Sequence, residues 1–438
     1  MDQQGVSLMK IISVVTLGCK VNQYDTAVLL NKLPKSKYIS KPFPEKADIY
    51  VIDTCTVTHK ADSEARHYIN RAKRINPDGV VVVTGCYAQV SPDELSVLKG
   101  VDYVVGNSDK FSSLMKIIRE GTPQKQTQIV VKDIFREKKR KFESPEIDFF
   151  PSRTRAFLKV QDGCNYSCTF CIIPMARGRS RSLEIDEIIN RIKILKDSGY
   201  KEIVLTGIHL ASYGRDIYTN LYELLSRIED SALLSRIRLS SLDPADIDNR
   251  FIDFIKNSVT ICPSFHIALQ SGDEKVLKSM RRRYKPEQFL DLTSEIRSAM
   301  PDCSLGTDIM VGFPGETEEE FTNSYNVLEN SELTYFHVFP YSRRKATAAA
   351  IMKKQVNPGV IKKRSRLIRK LGIDKKIAFY RKFIGKNMEV LIENNSRGTS
   401  RNYIPVKITD GQVNQGQLMD IHITGISNEK LTGSTRIH

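Results

Sequence analysis

The sequence predicts an α/β protein in three parts: an N-terminal open parallel sheet, a second α/β unit, and a small all-β domain. Three observations predict it. Short β-branched runs alternate with helical patterns over residues 1–147, and the alternation resumes from Arg155 to about Tyr341. Short strands separated by Gly and Asn turns then fill residues 383–438. Strand–helix alternation is typical of parallel sheets, and short strands between turns are typical of small barrels.

Composition excludes several classes of protein. Hydrophobic residues make up 40% of the 438-residue chain, which is enough for packed cores. No run of 18 apolar residues occurs, so the sequence predicts no transmembrane helix. We interpret the first apolar run, Ile11–Leu17, as a strand rather than an export signal, because no basic segment precedes it. We therefore expect a cytoplasmic protein without membrane association, whose eight cysteines are reduced thiols rather than disulfides.

The charge is strongly positive, with a formal net value of +16. The segment from Lys353 to Lys382 contains twelve basic residues and one acidic residue, Asp374. A second basic cluster is Lys138-Lys-Arg-Lys141. An imbalance of this size favours a polyanionic partner, with nucleic acid ahead of a membrane surface.

Each of the three earliest strands of the N-terminal unit ends in a turn that carries a cysteine: Cys19, Cys55 and Cys86. The carboxyl ends of parallel strands share one edge of a sheet, so we expect these thiols to converge and hold a metal cluster. The alternative is that each is a small buried hydrophobe, which is how we interpret Cys262 and Cys303. The predicted elements are strands at 11–17, 49–53, 80–84 and 102–105 and helices at 25–33, 61–75 and 92–98.

The densest motif is Cys164-x-x-x-Cys168-x-x-Cys171, directly after a predicted strand at 156–160. A structural zinc site needs four protein ligands, and no second pair of ligands at the expected spacing is visible. Three thiolates with one open position suit a [4Fe–4S] cluster. A one-sided zinc site or an incidental Cys-rich loop is the alternative.

Further strands are predicted at 202–206, 236–240, 265–269, 305–310 and 335–339, with helices such as 185–198 and 287–300 between them. Chemistry in such units belongs at the carboxyl ends of the strands. His209, His266 and His337 are each isolated within apolar strand ends, so we interpret them as hydrogen-bonded structural residues.

The cysteine motif, together with Gln161-Asp-Gly-Cys164 and Ile172-Ile-Pro-Met-Ala-Arg-Gly-Arg179, resembles the methylthiotransferases of the radical S-adenosylmethionine (SAM) superfamily. The resemblance implies a partial (β/α)₆ radical-SAM barrel, SAM chelated by the open iron of the Cys164/Cys168/Cys171 cluster, and a second [4Fe–4S] cluster on Cys19, Cys55 and Cys86. It implies no catalytic acid or base. Asp243 stands where a Glu is common, and Ala346 replaces a Gly. The SAM or substrate pocket candidates are Gly207, Ser241, Asp243, Gln270, Arg282, Asp308 and Arg344.

The C-terminal part resembles the TRAM module, an RNA-binding barrel, with predicted strands at 387–392, 403–406 and 418–423. Before it, a helix beginning after Asn357-Pro-Gly359 is predicted to present one apolar face. That face comprises Val360, Leu367, Ile368, Leu371 and Ala378. The predicted domains are an N-terminal methylthiotransferase domain at 8–125, a linker at 126–150, the radical SAM core at 151–376 and TRAM at 377–438.

An aromatic C–H at adenine C2 has no leaving group and almost no acidity, so acid/base catalysis does not suffice there. In the resembling family one SAM methylates a sulfur at the N-terminal cluster and a second SAM supplies the radical. Leu17-Gly-Cys-Lys-Val-Asn-Gln23 most resembles the branch that modifies threonylcarbamoyladenosine at position 37 of tRNA. The implied partners are the tRNA anticodon stem-loop and an electron donor such as flavodoxin or ferredoxin.

Other substrates stay open: isopentenyl-adenosine in tRNA, or an aspartate of a ribosomal protein. A non-catalytic iron–sulfur RNA-binding sensor is the alternative of a different class. The threonylcarbamoyl carboxylate would need a basic partner, for which the sequence offers Arg177, Arg179, Arg282 and Arg344 without ranking them.

Overall fold

The computed structural model describes residues 9–136, 142, 145–150 and 153–435, and it confirms the three-part α/β architecture. The N-terminal part is a six-stranded parallel sheet in the order β2-β1-β3-β4-β5-β6. Its strands are β1 (Lys10–Thr16), β2 (Tyr38–Ser40), β3 (Ile49–Thr54), β4 (Val80–Gly85), β5 (Tyr103–Val105) and β6 (Gln128–Val130). Its helices are α1 (Lys20–Lys32), α2 (His59–Ile75), α3 (Cys86–Val90), α4 (Pro92–Ser96) and α5 (Lys110–Glu120).

Differences from the predicted elements lie at the edges of this sheet. The two edge strands β2 and β6 are short and largely exposed, so they lack the apolar run that marks a strand in a sequence. With β6 the sheet continues to Val130, past the predicted domain end at residue 125. Helix α1 begins at Lys20 rather than Asp25, because the Gly18 turn (φ +99°) leads straight into it.

The central part is the predicted partial barrel. Six parallel strands form two three-stranded groups, β7-β10-β11 and β12-β13-β14, which single bridges such as Leu242 to Ile267 join. All six carboxyl ends therefore open on one side, and β8 and β9 form a separate ribbon. The strands are β7 (Ala156–Lys159), β8 (Gln161–Asp162), β9 (Arg181–Ser182), β10 (Ile203–Thr206), β11 (Ile237–Leu239), β12 (Ser264–His266), β13 (Ser304–Val311) and β14 (Tyr335–Pro340).

The helices of this part pack outside the barrel. They are α6 (Ile173–Arg177), α7 (Ile185–Asp197), α8 (Leu221–Ser231), α9 (Asn249–Asn257), α10 (Glu274–Ser279), α11 (Pro286–Ala299), α12 (Glu318–Asn330) and α13 (Pro358–Arg381). Short 3₁₀ turns lie at Leu210–Ser212, Pro244–Asp246 and Ala348–Ile351. Among the described helices, none combines the length and the apolar character needed to cross a membrane.

The apolar face predicted for α13 is only partly correct. Ile368 is fully buried, but Val360, Leu367 and Ala378 are exposed. Arg364 is buried instead, because its guanidinium pairs with Glu316 at 2.7 Å. An ion-paired arginine can occupy a buried helix position that hydrophobic periodicity reserves for an apolar residue.

The C-terminal part is a closed five-stranded barrel in the order β15-β16-β17-β19-β18. Its strands are β15 (Asn387–Asn394), β16 (Arg397–Ser400), β17 (Pro405–Asp410), β18 (Leu418–Ser427) and β19 (Lys430–Ser434), of which β16 and β19 were not predicted. Phe379 and Tyr380 of α13 are part of the barrel core, so the predicted boundary after residue 376 falls inside a continuous helix. The basic cluster at 138–141 and parts of the predicted linker lie outside the described residues.

One hydrophobic cluster spans the N-terminal sheet domain and the central barrel. Tyr24 and Val28 of α1 are fully buried in the same cluster as Phe150 and Phe157. Each such side chain contributes about 1.5–3 kcal/mol when it leaves water. Helix α1, which carries the first cysteine at its start, is therefore fixed against the barrel by apolar packing.

Asp25 of α1 lies at the centre of a buried ion network in this interface. Its carboxylate contacts Lys159 of β7 at 2.6 Å, Arg177 at 3.2 Å and Lys110 at 3.5 Å. Burial alone would raise the pKa of Asp25, but these three cations hold that pKa well below its usual range. The depressed pKa means that this stabilisation is present at neutral pH and is lost only as the pH falls below the usual aspartate range.

We predict that Asp25→Asn lowers the free energy of unfolding by about 3 kcal/mol, because it leaves buried cations without their counter-charge. Urea denaturation followed by circular dichroism measures this. The control is Asp78→Asn, in an exposed turn of the same domain, which should change the free energy by less than about 0.5 kcal/mol. Equal effects of the two substitutions would contradict this role of Asp25.

A candidate active site lined by two cysteine triads

A single cavity of about 1040 Å³ runs from the N-terminal domain into the lumen of the barrel. Its wall includes the six cysteines of the two predicted sets: Cys19, Cys55, Cys86, Cys164, Cys168 and Cys171. Cys262 and Cys303, in contrast, are fully buried in the core as predicted. The fold therefore places two triads of thiols around one cavity.

The first triad is assembled at the carboxyl ends of neighbouring strands. Cys19 precedes α1, Cys55 follows β3, and Cys86 opens α3 directly after β4. Gly18 has φ +99°, and a β-carbon added there would lie 2.6 Å from Cβ of Cys55, so only glycine lets these two loops meet.

Burial raises the pKa of two thiols of this triad, which favours their protonated form unless a metal replaces the protons. Burial, and after it the neighbouring Cys86 thiol, raises the pKa of Cys55 to about 12. Burial also raises the pKa of Cys86, which the Arg177 guanidinium opposes. Nε of Arg177 is buried and has no hydrogen-bond partner among the residues that the structure describes. Three clustered thiols beside an unsatisfied cationic donor fit a negatively charged thiolate cluster, because metal binding releases the thiol protons.

The second triad lies on the loop between β8 and α6, and hydrogen-bond donors point at its sulfurs. The Tyr166 backbone N–H donates to Sγ of Cys164 at 3.4 Å, and Nη1 of Arg282 donates to Sγ of Cys168 at 3.5 Å. Burial raises the pKa of Cys171 to about 12, although the backbone N–H of Ile173 opposes it. Donors aimed at sulfur stabilise thiolates, so this loop also fits a cluster.

The structure brings most of the predicted pocket residues to the same cavity: Gly207, Ser241, Asp243, Gln270, Arg282 and Asp308 line it. Arg282 and Asp243 form an ion pair at 2.5 Å. Arg344 lies elsewhere. Its guanidinium pairs with Asp62 at 2.6 Å and also contacts Thr56, so it joins the barrel to the N-terminal domain.

Gln270 adopts the left-handed backbone region, with φ +65°. Its N–H donates to the carbonyl oxygen of Asp308 at 2.8 Å, which holds the turn against β13. A side chain other than glycine in this region carries strain, and such strain concentrates at binding sites.

The three histidines have carboxylate partners in the fold, although each is isolated in the sequence. All three line the cavity. His266 and His337 stack at 4.8 Å and flank one oxygen of Asp308 at 3.0 and 3.5 Å. Burial opposes protonation of His209, but Asp243 and Asp246 raise its pKa to about 11. Their partners come from other strand ends, which sequence spacing does not reveal.

The cavity is also lined by residues that the sequence analysis missed. Lys20, Arg238 and Tyr403 line it, from α1, β11 and the C-terminal barrel respectively. For Arg238 the sequence did contain a signal. A charged residue between two apolar ones in the strand Ile237–Leu239 is typical of a side chain that faces the barrel lumen.

Comparisons with known proteins agree with this geometry. Residues 158–328 match the radical SAM superfamily, and residues 11–106 match the uncharacterized protein family UPF0004. The radical SAM methyltransferase TsrM of Kitasatospora setae, solved with cobalamin and a [4Fe–4S] cluster, is similar in fold. The TM-score is 0.58 at 15% identity, over 78% of this chain and 77% of that chain.

Relatives of known name extend over nearly the whole chain. A threonylcarbamoyladenosine tRNA methylthiotransferase (MtaB) of Aquifex aeolicus is 42% identical over 94% of this chain and 100% of its own length. The MtaB of Bacillus subtilis is 41% identical, over 92% of this chain and 89% of that protein. A tRNA-2-methylthio-N(6)-dimethylallyladenosine synthase of Clostridium perfringens is 33% identical, over 97% of this chain and 93% of that protein.

We predict that Cys55 and Cys171 of metal-free protein react slowly with iodoacetamide at pH 8. A pKa of about 12 instead of the ordinary 9.0 leaves about 1,000-fold fewer thiolates. Mass spectrometry of peptides from a time course measures the rates, with urea-unfolded protein as the reference. Because the shift raises the pKa, the rates should climb about tenfold per pH unit from 8 to 10. Rates equal to those of unfolded protein would contradict the burial of these thiols.

Proposed function

The chain belongs to the radical SAM methylthiotransferase family, and we propose from this premise that it methylthiolates C2 of N6-threonylcarbamoyladenosine at position 37 of tRNA. Identity to the threonylcarbamoyladenosine enzymes, at 41–42%, exceeds the 33% to the dimethylallyladenosine synthase. The observation that carries the proposal is the placement of both cysteine triads on one cavity. Sulfur and radical must meet at one substrate atom, so their two sources must face the same space.

The Cys164/Cys168/Cys171 triad is our proposed ligand set for the SAM-binding [4Fe–4S] cluster, and Cys19/Cys55/Cys86 is that for the second cluster. When bound, these cofactors supply the radical and sulfur chemistry that no amino-acid side chain can provide. The chain contributes the donors around them. Arg282 donates to Cys168 while paired with Asp243, and Arg177 lies beside Cys86.

Around the Cys164/Cys168/Cys171 triad, the strand-end residues are proposed to hold SAM and the nucleoside. Gly207 lines the cavity, and a β-carbon there would lie 2.8 Å from Oε1 of Gln161, so the position favours glycine. Ser241, Asp243, Gln270 and Asp308 offer polar atoms at neighbouring strand ends. His337, whose side chain is 56% exposed, and Phe339, 40% exposed, line the cavity and offer flat surfaces for an unstacked base.

The tRNA itself needs a wider basic surface. Helix α13 exposes Lys362, Lys363, Arg366, Arg369 and Lys370, and it runs into the C-terminal barrel. We propose that this surface contacts phosphates of the anticodon stem-loop, because phosphate contacts dominate the affinity for nucleic acids. A flavodoxin or ferredoxin is our proposed electron donor, and the cytoplasm, where tRNA is modified, is the proposed compartment.

We predict that a strain lacking this gene loses the methylthio mark on threonylcarbamoyladenosine and retains the mark on isopentenyl-adenosine. Mass spectrometry of tRNA nucleosides measures both marks in one sample. A plasmid copy of the gene should restore the lost mark, which controls for secondary mutations. Loss of the methylthio mark on isopentenyl-adenosine instead would contradict the proposal and identify isopentenyl-adenosine as the substrate.

We also predict that replacing either triad by alanine removes about half of the iron from anaerobically purified protein. Only the Cys164/Cys168/Cys171 variant should lose reductive cleavage of SAM to 5′-deoxyadenosine. Iron analysis and chromatography measure the two properties. The control is Cys262→Ala, a buried cysteine outside both triads, which should keep both clusters. Intact iron in either triad variant would contradict the ligand assignment.

A further inference from the structure

We infer that Lys20 and Arg238 form the subsite that binds the carboxylate of the threonylcarbamoyl group of the substrate. The inference rests on the proposed function and goes beyond it by assigning the residues that select this nucleoside. Both residues line the cavity that the six cysteines also line.

Arg238 lines this space and has one unpaired donor atom. The residue is 2% exposed. Nε donates to Glu202 at 2.8 Å and Nη2 donates to the carbonyl oxygen of Arg401 at 3.1 Å, while the guanidinium lies 4.5 Å from the centre of the Tyr403 ring. Nη1 is buried without a hydrogen-bond partner in the described part of the chain. A buried donor left unpaired is costly, so a ligand acceptor at this position would be strongly favoured.

Lys20 is the second cation of the subsite. It is the first residue of α1, and it lines the cavity together with Arg238 and Tyr403. No carboxylate of residues 9–136, 142, 145–150 and 153–435 lies within ion-pair distance of its ammonium group. A lysine that lines the same cavity as an arginine, without a counter-charge, marks a place for an anion.

Of the other candidate cations, Arg282 also lines this cavity, where it contacts Asp243 and Sγ of Cys168. Arg179 borders a separate pocket beside the second triad, and Arg177 and Arg344, which are not among the residues that line the cavity, pair with Asp25 and Asp62. The cavity reaches Ser264 and Ser304, the first residues of β12 and β13, so it extends to the amino ends of these strands.

The test compares two synthetic anticodon stem-loops, one with threonylcarbamoyladenosine and one with its neutral carboxamide analogue. Anaerobic holoprotein with both clusters should bind the acid more tightly than the amide, by about 10- to 100-fold. Lys20→Met should abolish this preference by weakening only the acid, and Lys20→Arg should restore most of it. The matched control is Lys32→Met, an exposed lysine in the last turn of the same helix, which should keep the preference.

Three outcomes would overturn the inference. The first is equal affinity of the wild type for the acid and the amide while it still methylthiolates the acid. The second is an unchanged preference in Lys20→Met. The third is a Lys20→Met variant in which the reduction potential of the N-terminal cluster shifts and the affinities for both stem-loops fall equally. Lys20 would then act on the cluster bound by the neighbouring Cys19. Failure of the proposed function looks different: the wild type would methylthiolate an isopentenyl-adenosine stem-loop and neither of these two.

Discussion

The buried carboxylate of Asp25 is the contact on which the arrangement of the site depends. It lies in the first helix, two turns after Cys19, and it binds Lys159 of the first barrel strand and Arg177 of the segment that follows the second triad. Arg177 reaches back to Asn22 and lies beside Cys86. One carboxylate thus fixes the distance between two thiol triads that belong to different domains. Apolar packing of Tyr24 and Val28 against Phe150 and Phe157 holds the same helix in place.

The walls of the cavity that results differ in chemistry. Sulfur atoms and strand-end polar groups favour cofactors, and Asp308 with its two flanking histidines forms part of the wall. Arg238 and Lys20 also line the cavity, and the Arg238 guanidinium lies over the ring of Tyr403. A nucleoside with a carboxylate on its N6 substituent matches these walls, because its base can lie beside the sulfur atoms while its carboxylate contacts the cations. The C-terminal barrel takes part directly, since Tyr403 and the carbonyl of Arg401 help to position Arg238.

Much of this could be predicted from the sequence, because the decisive signals are local. Cysteines at strand ends and the Cys164–Cys171 spacing identify both triads, and periodicity identifies the six barrel strands. Contacts between distant segments could not be predicted. Arg344 was expected in the pocket but pairs with Asp62 across the domain interface. The histidines contact carboxylates at neighbouring strand ends. Arg364 occupies a helix position that periodicity assigns to an apolar side chain. In each case an ion pair made by the fold decides where the side chain lies.

We infer that two iron-bearing triads face one cavity across a domain interface. Anomalous X-ray scattering at the iron edge, from crystals of anaerobically purified protein, tests this arrangement most directly. We predict two separate iron peaks, one beside Cys19, Cys55 and Cys86 and the other beside Cys164, Cys168 and Cys171, both bordering the same cavity. A single iron peak, a zinc peak at either triad, or two peaks that open on different faces of the molecule would contradict it.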